Sequence, residues 1–175
     1  MSWSSNPKQD LAGEAALTRA VVLRYLGYRE YTAAELCRRL KERGATATDI
    51  EAALAYVQER GYQDDVRAGE SHIRQRLQYA PRGRALARQE LIVRGLSSEL
   101  STALLEEHYP PEEEGELLRR LLSKVEVPSR CDGQKARRLR QKMARRLLAK
   151  GFSQTAVMDA LAEWLPLADE EDYIC

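Results

Sequence analysis

Apolar residues recur along this chain at helical spacing, and the pattern stops three times on one five-residue phrase: LKERG at 40–44, LIVRG at 91–95 and LLAKG at 147–151. Each is a leucine, two residues, a cation and a glycine, at intervals of about 50 residues. Before the first copy, Thr32 and Glu35 have the spacing of a capping box, and Leu36 and Leu40 share a face one turn apart. Arg43 puts a cation at the negative end of the helix dipole, and Gly44 stands where a left-handed residue ends a helix. Thr46 or Thr48 then caps a second helix with the stripe Ile50, Leu54, Val57. The third copy repeats the plan with Gly151, Ser153, Val157 and Leu161, and Phe152 and Val157 have the spacing of a hydrophobic staple. Counted from the glycine, this stripe begins at +6 and +10 in copies one and three. In copy two, Leu100 and Leu104 stand at +5 and +9, which predicts a turn one residue shorter.

A further helix precedes each pair: one through Leu17, Val21, Val22, Tyr25 and Leu26, one over 65–79 with Val66, Ile73 and Leu77 inward, and one through Leu117, Leu118, Leu121, Leu122 and Val125. No run alternates with period two, so no sheet is expected. The predicted fold is all-α, an elongated array of three tandem three-helix repeats over 11–60, 61–109 and 110–166, with an acidic tail over 167–175. The joints fall on Gly44, Tyr62, Asp64, Asp65, Gly95, Gly151 and Phe152. An array of this kind offers a long surface rather than a deep pocket.

Composition agrees with helices, since Ala, Leu, Arg, Glu and Gln are abundant and aromatics are only 6%. The formal net charge of +1 conceals strong segregation. Residues 66–105 carry 7 basic and 3 acidic side chains and residues 117–151 carry 12 and 2, whereas 106–116 and 152–175 each carry 0 and 6. Few acids accompany the basic runs, so their field is not cancelled locally, and such helices suit phosphate or an acidic protein. The candidate partner-binding residues are Arg84, Arg88 and Arg94 in the second copy and Lys135, Arg138, Lys142, Arg145 and Arg146 in the third. The last five share one helix face, opposed by Leu139, Met143 and Leu147. Scarce aromatics argue against base stacking and for contact with a backbone or an acidic surface.

Catalytic chemistry finds little footing. His72 and His108 are 36 residues apart, without cysteine or a second histidine at metal-ligand spacing. Phosphate-loop, dinucleotide and nucleophile-elbow motifs are absent. Asp64 and Asp65 are the one acidic pair that invites a catalytic reading, with His72, but they fit better as a helix cap and a first-turn acid. Neither a cofactor nor a metal is expected, nor is an enzyme. Cys37, Cys131 and Cys175 are odd in number and irregularly spaced, which suits a reducing cytoplasm rather than a disulfide framework. No signal peptide or membrane span is read from the sequence, and a monomer is the default.

Four stretches, in order, resemble the RecX family of bacterial regulatory proteins: ALTRAVVLRYLGYREYTAAELCRRLKERG, RGYQDDVRA, GRALARQELIVRGLS and RRLLAKGFSQTAVMDAL. The resemblance runs from about residue 15 to 165, placing the family's Gly-Tyr-x-Asp-Asp joint on Gly61, Tyr62, Asp64 and Asp65. Two departures stand out. Ala68 and Gly69 follow Arg67 where the family often has an aromatic, and Arg84 follows Gly83 where it often has proline. The resemblance implies a slender array of three-helix repeats that is not an enzyme. It implies binding to the RecA–DNA filament along its groove, with suppression of ATP turnover, strand exchange and coprotease function and limited filament growth. DNA is a weaker implied partner. A nucleic-acid-binding module acting without RecA is the alternative.

Overall fold

The computed structural model describes residues 7–127 and 133–166, with side chains from residue 16. The acidic tail over 167–175, with Cys131 and Cys175, lies outside the described residues. Nine helices and no strand occur among the described residues: α1 (Pro7–Leu26), α2 (Ala33–Glu42), α3 (Ala47–Glu59), α4 (Asp65–Gln78), α5 (Arg84–Val93), α6 (Ser98–His108), α7 (Pro111–Leu122), α8 (Gly133–Leu148) and α9 (Gln154–Trp164). They run in three successive sets of three. By packing, the chain falls into two compact units: residues up to His72 with Leu91–Ser101, and Ile73–Glu90 with Thr102 onward. The divisions fall inside α4, α5 and α6.

The recurring phrase is a Schellman helix end in all three copies. The amide after each glycine donates to the leucine carbonyl five residues back: Ala45 to Leu40 (3.1 Å), Leu96 to Leu91 (3.2 Å) and Phe152 to Leu147 (3.4 Å). The glycine amide itself donates to Lys41, Ile92 or Leu148, each at 2.9 Å. This 6→1 and 5→2 pair needs a left-handed residue at the glycine, and φ is +83° at Gly44, +101° at Gly95 and +81° at Gly151. The motif also brings its first and sixth side chains together, which accounts for the leucine: Leu40, Leu91, Leu96, Leu147 and Phe152 are all buried.

Two expectations are corrected. The second turn is not shorter: its cap is Ser97, two residues after Gly95, as Thr46 follows Gly44 and Ser153 follows Gly151. At +6, where the other copies have Ile50 and Val157, stands Ser101. It is fully buried, and its hydroxyl donates to the Ser97 carbonyl at 2.7 Å. A buried serine that satisfies itself on the preceding turn occupies a core place without breaking the register, and an apolar pattern cannot see it. Leu17 and Val66, expected inward, are 68% and 42% exposed. On α4 Ile73 is buried as expected, and Ala68 and His72 rather than Val66 share its buried face.

In the first unit the core gathers Val22 of α1, Leu36 and Leu40 of α2, and Ile50, Ala53 and Val57 of α3, with Tyr31. Each fully buried branched side chain contributes about 1.5–3 kcal/mol. In the second, Leu117, Leu118 and Leu122 of α7 are buried, as are Ala136, Met143 and Leu147 of α8 and Val157, Ala160 and Leu161 of α9. Its buried Tyr109 donates its hydroxyl to the Arg82 carbonyl at 2.9 Å, and burial, with the Glu114 charge, pushes that phenol far above its ordinary range. No helix among the described residues is long and apolar enough to cross a membrane.

Candidate partner-binding surface

Each unit contains one copy of the same joint between repeats. In the first, the Thr32 hydroxyl at the start of α2 donates to the carbonyl of Arg94, the residue before Gly95, at 2.5 Å. In the second, the amide of Gly83 at the start of α5 donates to the carbonyl of Lys150, the residue before Gly151, at 2.9 Å. The glycines fit closely there. A Cβ on Gly95 would stand 2.2 Å from the Ala34 Cβ, and one on Gly151 would stand 2.4 Å from the Leu86 Cβ. Gly44, in contrast, has nothing within 4 Å.

A carboxylate completes each joint. Asp65 accepts from the Ala33 amide at 2.8 Å and from the Gln63 side chain at 2.7 Å, so the first turn of α4 caps the first turn of α2. Glu114, buried, accepts from the Arg84 amide at 2.8 Å and the Ser153 amide at 3.4 Å. Here the cap must come from outside, because α5 opens on a glycine. A side chain on Gly83 would overlap the Gly151–Phe152 backbone, with its Cβ only 2.0 Å from the Phe152 nitrogen. Proline at position 84 would lack the amide that Glu114 takes, so the arginine there is used through its backbone. Asp64 caps its own helix, accepting from the amides of Val66 (2.7 Å) and Arg67 (3.1 Å). Arg67 ties the same turn by donating to the carbonyls of Gly61 and Tyr62 and to Glu30 (2.6 Å). Tyr62 is half exposed and Phe152 is buried.

The structure separates the sequence-selected cations into two kinds. Arg94 is turned inward, its side chain 14% exposed. Its guanidinium bonds Glu35 at 3.0 Å and the Nδ1 of buried His72 at 2.7 Å; arginine only donates, so that nitrogen accepts. Arg84 pairs with Glu106, and Arg88 donates to the Thr102 hydroxyl at 3.1 Å. The acidic pair and His72 are thus each bound into joints or this network. Sequence reading missed the network because its members stand at 35, 72 and 94, with no shared spacing to connect them. Among the described residues no cluster of His, Cys, Asp or Glu could hold a metal ion.

Glu35 has a consequence with pH. Burial pushes its carboxyl up, but the hydrogen bonds from Arg29 (3.1 Å) and the Thr32 amide (3.0 Å), with the charges of Arg94 and Arg29, outweigh that and hold it below the ordinary 4.5. A depressed carboxyl gives stability that is complete above the unfolded-state value and is lost as pH falls through the folded one. Urea midpoints of the wild type and Glu35→Gln should therefore differ most near pH 7 and converge below the ordinary carboxylate range.

Lys135, Arg138, Lys142, Arg145 and Arg146 form the second kind. All five are exposed, on the side of α8 opposite buried Ala136, Met143 and Leu147. Among the described residues no carboxylate pairs with Arg138, Lys142, Arg145 or Arg146; Arg145 reaches only the Gln141 carbonyl, at 3.4 Å. Arg138, Lys142, Arg145 and Arg146 are therefore cations without acidic partners among the described residues, carried on a helix fixed by its core face. They can attract and orient an anionic surface.

The model of the RecX first three-helix domain matches residues 19–57. The chain is 32% identical to the regulatory protein RecX of Leptothrix cholodnii over 170 residues, covering 96% of this chain and 95% of that protein. It is 42% identical to the RecX of Legionella pneumophila over 83 residues, which are 47% of this chain; that match spans little more than half, 55%, of the relative's length. A crystal structure of a regulatory protein RecX superposes with a TM-score of 0.71 at 23% identity, covering 94% of this chain and 79% of that one. The RecX of Lactobacillus salivarius gives 0.68 at 19% identity, covering 87% and 97%. At such identities these two structures speak for the fold alone.

Proposed function

The chain belongs to the RecX family of regulatory proteins, and from that premise we propose that it binds the RecA–DNA filament and inhibits RecA's ATPase, recombinase and coprotease activities. It does so as a cytoplasmic monomer of three repeats, lying in the filament groove and limiting filament growth. The observation that carries this reading is the α8 stripe, where Arg138, Lys142, Arg145 and Arg146 stand exposed without acidic partners. A filament repeats its surface, so one bound chain makes several weak contacts at once, and their effects multiply. Inhibition then requires tighter binding to one filament state than to another. The expected state is one that exchanges subunits or hydrolyses ATP poorly.

One observation favours direct contact with DNA as a second reading. Arg74, Arg120 and Lys124 ring a recess of about 490 Å³ in the second unit, with Glu113 the one acid lining it among the described residues. Such a surface suits phosphate, with or without RecA.

Titrating the protein into RecA on single-stranded DNA separates the two. Substoichiometric amounts should suppress ATP turnover. Undiminished turnover, with tight binding to naked duplex whose affinity falls by about 0.9 log units per log unit of salt for each phosphate neutralised, would favour the second reading.

A further inference from the structure

The phrase that ends at each glycine extends further back in two of its copies. Arg38-Arg39-Leu40 leads to Gly44 as Arg145-Arg146-Leu147 leads to Gly151, with the arginines six and five residues ahead of the glycine. The core register agrees. Leu36 and Leu40 on α2 are buried eight and four residues ahead, as Met143 and Leu147 are on α8. Helical geometry therefore turns both arginine pairs to the same side relative to the core, and all four side chains are exposed. Copy two departs from this plan: its places hold Gln89 and Glu90, and Glu90 is bonded to Arg76 at 2.7 Å.

The acids of α2 leave its arginines alone. Glu35 is buried and bonded to Arg29 and Arg94, and among the described residues no carboxylate lies within ion-pair distance of Arg38, Arg39 or Arg43. Tyrosines hold these cations instead. The Arg39 guanidinium lies 5.4 Å from the Tyr25 ring centre and 5.2 Å from that of Tyr31. The Arg43 guanidinium lies 5.6 Å from the Tyr25 centre, and its Nε donates to the Tyr25 hydroxyl at 2.7 Å. A guanidinium seated on a ring keeps its charge and most of its N–H groups, and it has less freedom left to lose on binding. Tyr25 also lies against Tyr31, with ring centres 5.7 Å apart, and Arg29 covers Tyr31 at 3.7 Å. These rings serve the arginines rather than a nucleobase, which favours a carboxylate partner taken by the guanidinium forks.

We propose that Arg38, Arg39 and Arg43 on α2 form a second anchor for an acidic protein surface, the counterpart of Arg145 and Arg146 on α8. A partner that repeats one acidic feature can take both anchors, and the two contacts then multiply. The proposal extends the function given above and rests on it for the identity of that partner, the protein of the filament rather than its DNA.

Three variants of the whole chain, each lowering the net charge by two, separate a local surface from a general field: Arg38→Gln with Arg39→Gln on α2, Arg145→Gln with Arg146→Gln on α8, and Ala85→Glu with Gln89→Glu on α5, all at exposed positions. With urea midpoints matched, binding is measured to labelled polyglutamate, to an oligothymidylate and to RecA filaments on single-stranded DNA. The α2 and α8 variants should each bind polyglutamate and filaments about tenfold more weakly than the wild type, and the α5 variant less than about twofold more weakly. Equal losses in all three overturn the proposal, because net charge alone would then govern binding. An α2 variant that binds polyglutamate and filaments like the wild type overturns it as well. Loss of oligothymidylate binding with polyglutamate binding unchanged assigns α2 to phosphate and overturns the acidic-protein partner. The expected pattern on polyglutamate, from a wild type that ignores the filament, supports the α2 anchor and overturns the RecA reading instead.

Discussion

Gly83→Ala should destabilise the protein by about 4 kcal/mol or more, at the extreme of single substitutions. The backbone at Gly83 is not left-handed, so alanine meets no conformational penalty there. The cost is steric: the new Cβ would lie 2.0 Å from the Phe152 nitrogen and 2.1 Å from the Gly151 carbonyl carbon and oxygen. These are backbone atoms, held by the Schellman bonds of α8 and by the Gly83-to-Lys150 hydrogen bond, and they cannot swing aside as a side-chain tip would. Separating them breaks that bond and draws α5 away from the Leu147–Phe152 corner. Gly44→Ala isolates the other effect. Its Cβ would meet nothing within 4 Å, so only the left-handed backbone at φ +83° is strained, for about 1–2 kcal/mol. Urea denaturation of both variants should show the larger loss at Gly83. Equal losses would mean that the close approach of the two backbones does not govern the joint.

Much of this was legible beforehand because it is local. The capping box at Thr32 and Glu35, the Schellman glycines and the caps at Thr46 and Ser153 are each set within six residues, and the structure has them where the spacing put them. Ser101 escaped because a self-satisfied hydroxyl reads as surface. What the phrase accomplishes could not be read at all. The sequence marks where a helix ends, but the contacts of Gly95 with Ala34 and of Gly151 with Leu86 join residues some 60 positions apart. Arg94 shows the same limit on the site: in sequence it is one more cation in a basic run, and only its position beside Glu35 and His72 turns it inward. The α8 stripe was legible because a single helix carries it, and helical periodicity alone sets which of its side chains share a face.

Reversal of Lys142, Arg145 and Arg146 to glutamate is the most direct measurement of whether the protein regulates RecA through α8. The three side chains are exposed, and the core face through Met143 and Leu147 is untouched, so the fold should survive. Loss of the favourable cations near the end of α8 costs about 0.3–1 kcal/mol each. Against an acidic or phosphate surface, attraction becomes repulsion. Like charges brought together cost several kcal/mol, and about 4 kcal/mol is nearly a thousandfold in affinity. With helicity and urea midpoint checked first, RecA ATPase on single-stranded DNA should then run uninhibited at concentrations where the wild type suppresses it. Full inhibition by the folded triple variant would contradict the account.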